Sequence, residues 1–555
     1  MTVQIQSKNK THASSLLQKL RLEYSPQYPP ILDDVSIIDF QKDGKVFIDN
    51  DIAKIFPHLQ CNVLENIVLG KPIDHPLKIG VVLSGGQAPG GHNVITGIFD
   101  ACKKVHPESE LIGFLDGPKG IVTNQWCSIT QDFLKSFRNQ GGFDCIGSGR
   151  TKIETDEQFQ KALRTVQEHN LNGLVIIGGD DSNTNAAFLS EYFLQHGCTT
   201  SVVGVPKTID GDLQNQFIEI SFGFDTACKI YSEIIGNLER DAVSAKKYYF
   251  FVKLMGRAAS HITLECALQT HPNLTFIGEE LLKERKSLSQ VVQEIADLVT
   301  LRKKEGKEYG VILIPEGIIE FLSDAQLLIS ELNTLIHVNE ELIQKQDRIE
   351  HVLRLLSPAS ASLFSSLPEK IQFQLLLDRD PHGNVEVSKI ETERLLMQMT
   401  AKELEKRKLE AEWDGTFSPQ AIFCGYEGRS ALPSNFDCNY SYSLGRLSVA
   451  LIGRNKTGFM ASIVNLSQSV LAWKPVVIPL PCMMHFEKRK GAMKAVIKKS
   501  LVDLDGKPFA EFLKNRDAWK LDDMYVQPGP IQFFGPSDLT DEAAFTIQKK
   551  ETPSS

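Results

Sequence analysis

Three stretches of this chain carry residues whose types and spacing suit phosphate chemistry. The run Val205-Pro206-Lys207-Thr208-Ile209-Asp210-Gly211-Asp212 holds one cation and two carboxylates close together. Carboxylates two residues apart can face the same side, one acting as general base toward an alcohol while the other orients it or shares a metal. A lysine there offers a point charge to phosphate oxygens; the competing reading is a plain salt bridge. In Gly178-Gly179-Asp180-Asp181-Ser182-Asn183 the two acids are adjacent, so on an extended backbone their side chains diverge. One can hold Mg2+ while the other meets a different part of the ligand, unless either acid, or Ser182, simply caps the next helix. The third stretch, Gly85-Gly86-Gln87-Ala88-Pro89-Gly90-Gly91-His92-Asn93, lets backbone approach an anion at a helix start, though a glycine turn is as often only a tight connection. It lacks the GK[ST] ending of a P-loop and the dinucleotide spacing, so any cation must come from elsewhere.

Each stretch follows a β-branched run: Ile79 to Leu83, Val175 to Ile177, and Ser201 to Gly204. Strand, glycine turn and helix repeat from Leu77 to about Ser221, which predicts a parallel sheet with crossover helices over Val94 to Val105, Thr155 to His169 and Thr184 to His196. Thr155 or Asp156 caps the second of these. Ligands of such sheets bind beyond the carboxyl ends of the strands. Residues 223 to about 320 repeat the style, with strands at Tyr248 to Val252 and Tyr309 to Ile314, the latter ending at Pro315-Glu316-Gly317. From Asp324 to Glu410 long amphipathic helices take over, broken by a turn at Asp380 to Asn384 and ending in a charge-rich solvated face from Lys402. A second glycine-bearing loop, Gly425 to Ser430, and a helix from Tyr442 to Ile452 follow.

Composition bounds the rest. At 555 residues the chain is too long for one core. Its net charge of −9 argues against a general nucleic-acid surface. Ten cysteines without a CxxC pair indicate neither a zinc site nor a disulfide framework, and reduced, buried thiols in a cytoplasmic protein are expected. No apolar run approaches membrane-spanning length, and the polar start MTVQIQSKNKTHASS is unlike a signal peptide.

The ordered motifs GGQAPGGHN, GGDDSNTNA, PKTIDGDL, MGRAASH, PEG and GYEGRS resemble the phosphofructokinase family, and within it the long, pyrophosphate-dependent branch. The resemblance covers about residues 77 to 320 and 413 to 495. It implies two Rossmann-like three-layer α/β/α domains with mostly parallel sheets, plus an N-terminal extension (1–76) and a helical insert (about 324–410). The pyrophosphate and Mg domain is 77–222, completed by about 428–495; the fructose 6-phosphate domain is 223–427, and 496–555 is a C-terminal extension. The implied reaction is reversible phosphorylation of fructose 6-phosphate at its 1-hydroxyl.

By the match, Asp210 is the base, Thr208 and Ile209 line the substrate, Asp180 is the Mg2+-linked carboxylate and Gly86 touches pyrophosphate. ATP-using members carry glycine where this chain has Asp181 and Lys207. Asp181 would repeat the charge of the ATP α-phosphate and exclude it, while Lys207 would stabilise the leaving phosphate. Met255, Gly256, Arg257 and Glu316 would hold the sugar, and Tyr426, Glu427, Gly428 and Arg429 would meet the 6-phosphate. Lys247 and Tyr248 match a segment reaching that phosphate across a homodimer interface, although a core aromatic is an equal reading of Tyr248. Bacterial ATP enzymes place arginine and histidine where this chain has Tyr248 and Tyr426, so the phosphate is held differently here. Competing readings are a non-catalytic regulatory subunit and an ATP-dependent 6-phosphofructokinase.

Overall fold

The computed structural model describes residues 15–43, 48–338, 348–377, 385–489, 492–530 and 536–549. The turn expected at Asp380 to Asn384 lies outside them. The chain divides into two compact units, one of residues 1–227, 426–500 and 531–555, the other of 228–425 and 501–530.

Among the described residues the first unit builds a nine-stranded sheet. In chain order its strands are β1 (Ile38–Lys42), β2 (Glu65–Leu69), β3 (Lys78–Leu83), β4 (Glu110–Phe114), β5 (Trp126–Ile129), β6 (Gly173–Gly178) and β7 (Ser201–Pro206), completed by β12 (Phe459–Val464) and β13 (Lys474–Pro479). The second unit holds β8 (Tyr249–Leu254), β9 (Leu274–Thr275), β10 (Gly310–Pro315) and β11 (Pro419–Cys424). The first sheet runs β1-β2-β13-β12-β7-β6-β3-β4-β5. Its centre, β12-β7-β6-β3-β4, is parallel, and antiparallel strands close both edges. β3, β6 and β7 read as near-continuous apolar runs because both faces are covered, as a parallel sheet requires.

On one face Val82, Ile112, Phe114, Ile176 and Val202 share a core with Ala162 and Val166 of the helix Asp156–Glu168 and with Ala186, Leu189 and Phe193 of the helix Asp180–Gln195. Thr155 caps the first of these in a reciprocal capping box with Gln158, the start its sequence predicts. Elsewhere the helices Gly91–Val105 and Asn435–Gly453 pack against each other. They approach so closely that a Cβ on Gly445 would lie 2.2 Å from the Val94 carbonyl oxygen, so only glycine fits at that crossing.

The N-terminal extension contributes strands to the sheet. β1 and β2 pair antiparallel and extend the sheet through the Val477 to Glu65 pairing. A two-stranded hairpin, β14 (Met484–Arg489) and β15 (Ala492–Ile497), also belongs to this unit.

The second sheet, β11-β8-β10-β9, is parallel throughout. The helices expected as an insert, Ser323–Val338, Arg348–Leu355, Pro358–Ser366, Glu369–Leu377 and Thr392–Leu409, share one continuous core with it. Tyr249, Phe251 and Ile312 of the strands join Leu328, Phe364, Leu375 and Leu404 of the helices in that core. Lys253 of β8 forms a buried ion pair with Glu393 at 3.0 Å. Among the described residues no helix is long and apolar enough to cross a membrane, and all ten cysteines are free thiols, seven of them buried and Cys61 exposed.

Candidate active site

From β3 the chain adds β4 and β5 on one side and β6, β7 and β12 on the other, so strand order reverses between β3 and β6. A reversal of that kind opens a crevice beyond the strands' carboxyl ends. The loops leaving β3, β6 and β7 there are the three acidic and glycine-rich stretches of the sequence.

Asp180 and Asp181 do not sit on extended backbone as expected but in the first turn of the helix Asp180–Gln195. They diverge all the same, because successive helical residues point about 100° apart. Neither caps the helix: Gly179 is the N-cap, with no side-chain bond. Ser182 Oγ instead donates to Ser84 Oγ at 2.8 Å. Asp181 pairs with Lys152 at 3.1 Å, while Asp180 lies 3.8 Å from Lys499. Burial pushes the Asp180 carboxyl above the usual range, the Lys499 cation opposing it.

Lys207 is buried, 5% exposed, with its ammonium 5.9 Å from the Phe143 ring centroid. Among the described residues it takes no part in the neighbouring ion pairs, where Lys152 serves Asp181 and Lys499 serves Asp212. The plain salt-bridge reading therefore does not describe it. Burial first, then the neighbouring Arg429 charge, pull its pKa down to about 8, against the pull of Asp210, Asp180 and Asp212. The charged form is thus present below pH 8 and lost above it. An activity that depends on this ammonium is expected to fall as pH rises through about 8, and the fall to move upward in Lys207→Arg. A pH profile whose alkaline limb is identical in both proteins would contradict this.

Asp210 and Asp212 both favour the charged forms of Lys207 and Lys499. Thr208 Oγ1 accepts from the Asp210 amide at 3.1 Å, and Ser221 Oγ donates to the Thr208 carbonyl at 2.8 Å. Ile209 is buried. Gly86 faces Arg429: a Cβ there would lie 3.2 Å from a guanidinium nitrogen.

Tyr426, Glu427, Gly428 and Arg429 form a four-residue helical turn rather than a loop, and it belongs to the first unit. Tyr426 is exposed, with the Arg429 guanidinium 5.5 Å from its ring centroid. A guanidinium at the glycine turn was not part of the motif reading, which placed Arg429 at the sugar phosphate.

In the second unit the carboxyl ends of β8, β10 and β11 bring another set together. Glu316 is buried, its amide donates to the Leu254 carbonyl at 2.9 Å, and its carboxylate accepts from the Gly256 amide at 3.2 Å. Met255 donates to the Cys424 carbonyl at 3.2 Å, and Gly317 packs against the Arg257 carbonyl with no room for a Cβ. Met255, Gly256, Arg257 and Glu316 are therefore neighbours. Lys247 is exposed beside half-buried Tyr248, its ammonium 5.4 Å from that ring. Of the two tyrosines in the run, Tyr249 is the fully buried one.

Lys499 was missed by sequence reasoning. Burial works against its charge, but Asp180, Asp212 and Asp210 outweigh it and hold its pKa above the ordinary lysine value. Nothing in its local sequence, Ile497-Lys498-Lys499-Ser500, signals a phosphate site.

A family model described as phosphofructokinase matches residues 78–364. Pyrophosphate--fructose 6-phosphate 1-phosphotransferase of Porphyromonas gingivalis is 48% identical, the match covering 97% of this chain and 99% of that one. The Arabidopsis thaliana subunit beta 2 of the same name is also 48% identical, covering 95% and 92%. In fold, the chain is similar to the crystal structure of pyrophosphate-dependent phosphofructokinase from Nitrosospira multiformis, with a TM-score of 0.55 at 14% identity, covering 86% and 98%.

Proposed function

The chain belongs to the phosphofructokinase family, and on that premise we propose how it transfers a phosphoryl group in line from pyrophosphate to the 1-hydroxyl of fructose 6-phosphate. The products are fructose 1,6-bisphosphate and phosphate. The single observation that carries the donor assignment is the buried, positively charged Lys207 at the strand-order reversal, with Asp181 on the neighbouring helix turn. An ATP enzyme of this family has glycine at both positions.

Asp210 accepts the proton of the attacking hydroxyl, and the oxygen then bonds to the transferred phosphorus as the anhydride bond breaks. Lys207 meets the charge that develops on the leaving phosphate. Gly86 is assigned to pyrophosphate, on a turn that borders Arg429. Met255, Gly256, Arg257 and Glu316 hold the sugar, Glu316 accepting from its hydroxyls. Tyr426, Glu427, Gly428 and Arg429, with Lys247 and Tyr248 of a second copy in a homodimer, are assigned to the 6-phosphate.

The residues present fit Mg2+ in the way that ion is usually held, by one or two carboxylates together with substrate phosphate oxygens. Among the described residues no group of three acid, histidine or cysteine side chains forms an all-protein cage, and Asp180 is the carboxylate that would hold the ion. Bound there, Mg2+ supplies positive charge to the phosphate oxygens.

The regulatory-subunit alternative is disfavoured by the presence of Asp180, Asp181, Lys207 and Asp210 together. Because one phosphoanhydride is exchanged for one ester without loss of a nucleotide, the reaction runs in both directions. Incubating the purified chain with fructose 1,6-bisphosphate, phosphate and Mg2+ should yield pyrophosphate; none at equilibrium would refute the proposal.

A further inference from the structure

The hairpin β14–β15 and the residues after it lie outside the site motifs, yet they reach the acidic loops. The Ile497 amide donates to Thr184 Oγ1 at 3.0 Å, and the Ser500 amide donates to the Asp212 carbonyl at 2.7 Å. One bond ties this segment to the helix that begins at Asp180, the other to the loop that carries Asp212. Between them, Lys499 Nζ lies 3.3 Å from Asp212 Oδ2 and 3.8 Å from Asp180 Oδ2.

Only the shorter of these is near hydrogen-bond length, and an ammonium has three N–H donors. The Lys499 side chain is 38% exposed, against 18% for Asp180 and 6% for Asp212. The cation is thus the member of this trio that an incoming anion meets first. The neighbouring charges point the same way. Asp180, Asp181, Asp210 and Asp212 bring four carboxylates to these loops, and among the described residues Lys207, Lys152 and Lys499 set ammonium groups near them. Besides the Mg2+ assigned to Asp180, a multiply charged anion entering there is met by these ammonium groups, and Lys499 is positioned to be one of them.

We propose that Lys499 is a donor-binding residue of this reaction, its ammonium taking oxygens of inorganic diphosphate beside Asp180. The inference rests on the donor assignment above. It makes the C-terminal hairpin part of the donor site, because the two backbone bonds flanking Lys499 fix where its charge is presented.

The test compares the full-length wild type with Lys499→Met, Lys499→Gln and Lys499→Arg. Calorimetry measures binding of imidodiphosphate, in which a P–N–P link replaces the scissile P–O–P anhydride, and initial rates give KM for pyrophosphate and for fructose 6-phosphate. Loss of a charged hydrogen-bonding partner predicts about 10- to 100-fold weaker imidodiphosphate binding in the Met and Gln variants, with a parallel rise in KM for pyrophosphate. KM for fructose 6-phosphate should stay within about twofold, and Arg should recover most of the affinity, since it keeps the charge.

Gln keeps a hydrogen-bond donor for Asp212 and guards against a variant that merely misfolds. Wild-type imidodiphosphate affinity in Met and Gln, with only a lowered Tm, would overturn the inference by reducing Lys499 to a structural ion pair. Equal loss in all three variants would overturn it too, since charge would then not be what matters. Failure of the underlying donor assignment would look different: the wild type itself would not bind imidodiphosphate.

Discussion

Replacing Asp210 by asparagine is expected to lower turnover by about 10²- to 10⁴-fold, the usual worth of a positioned general base, or roughly 3 to 5 kcal/mol of transition-state stabilisation. The change is nearly isosteric and removes only the ability to accept a proton. Asp210 is half-buried, and its amide bond to Thr208 Oγ1 does not involve the carboxylate, so the loop should keep its shape. KM for fructose 6-phosphate and for pyrophosphate should therefore change by less than about threefold, the pattern of an interaction made chiefly in the transition state. Steady-state kinetics in the forward direction decide the matter. Unchanged kcat would remove Asp210 from the chemistry, and a rise in KM with kcat preserved would recast it as a binding residue.

The second large effect concerns the donor. Asp181→Gly combined with Lys207→Gly should cost about 10²- to 10³-fold in kcat with pyrophosphate, because the charge on the leaving phosphate loses its preorganised cation. The same pair of changes should make ATP a substrate. A carboxylate about 4 Å from a phosphate charge repels it by about 4 kcal/mol at the effective dielectric of a protein surface. Asp181 is about half exposed and is partly neutralised by Lys152 at 3.1 Å, so a smaller penalty of about 1 to 2 kcal/mol is expected, or roughly 5- to 30-fold in ATP kcat/KM from Asp181→Gly alone. The larger loss with pyrophosphate thus comes from the buried lysine, and the gain with ATP from removing the more exposed acid. A double variant that keeps wild-type pyrophosphate turnover would show that neither residue sets donor choice.

Much of this arrangement was legible in the sequence because its signals are local. The β-branched runs ending at Leu83, Ile177 and Gly204 gave three neighbouring parallel strands, and the residues immediately after them carry the candidate site. Helix starts were read well where a side chain marks them, as at Thr155 with Gln158. They were read late where the cap is glycine: the helix after β6 begins at Asp180, behind Gly179, and not at Thr184. The helix expected from Tyr442 begins at Asn435, since Ser434 caps it by accepting from the Asp437 amide, a signal masked by the preceding proline.

What was not legible depends on distant contacts. β1 and β2 are strands because β13 offers them an edge to pair with, and nothing within residues 1–76 announces that partner. Lys499 reaches the acids because Thr184 and Asp212, hundreds of positions upstream, hold the backbone on either side of it. A lysine after a hairpin looks like any surface lysine until those bonds are known. The placement of Arg429 against Gly86 is of the same kind: the motif GYEGRS names the residue without saying which loop it borders.

The most direct measurement is kcat/KM of the purified full-length chain for fructose 6-phosphate phosphorylation with Mg-pyrophosphate and, separately, with Mg-ATP. A buried ammonium and a fixed acid at the donor turn predict efficient use of the inorganic donor and a rate with the nucleotide lower by at least about tenfold. Comparable or faster turnover with ATP would contradict the account.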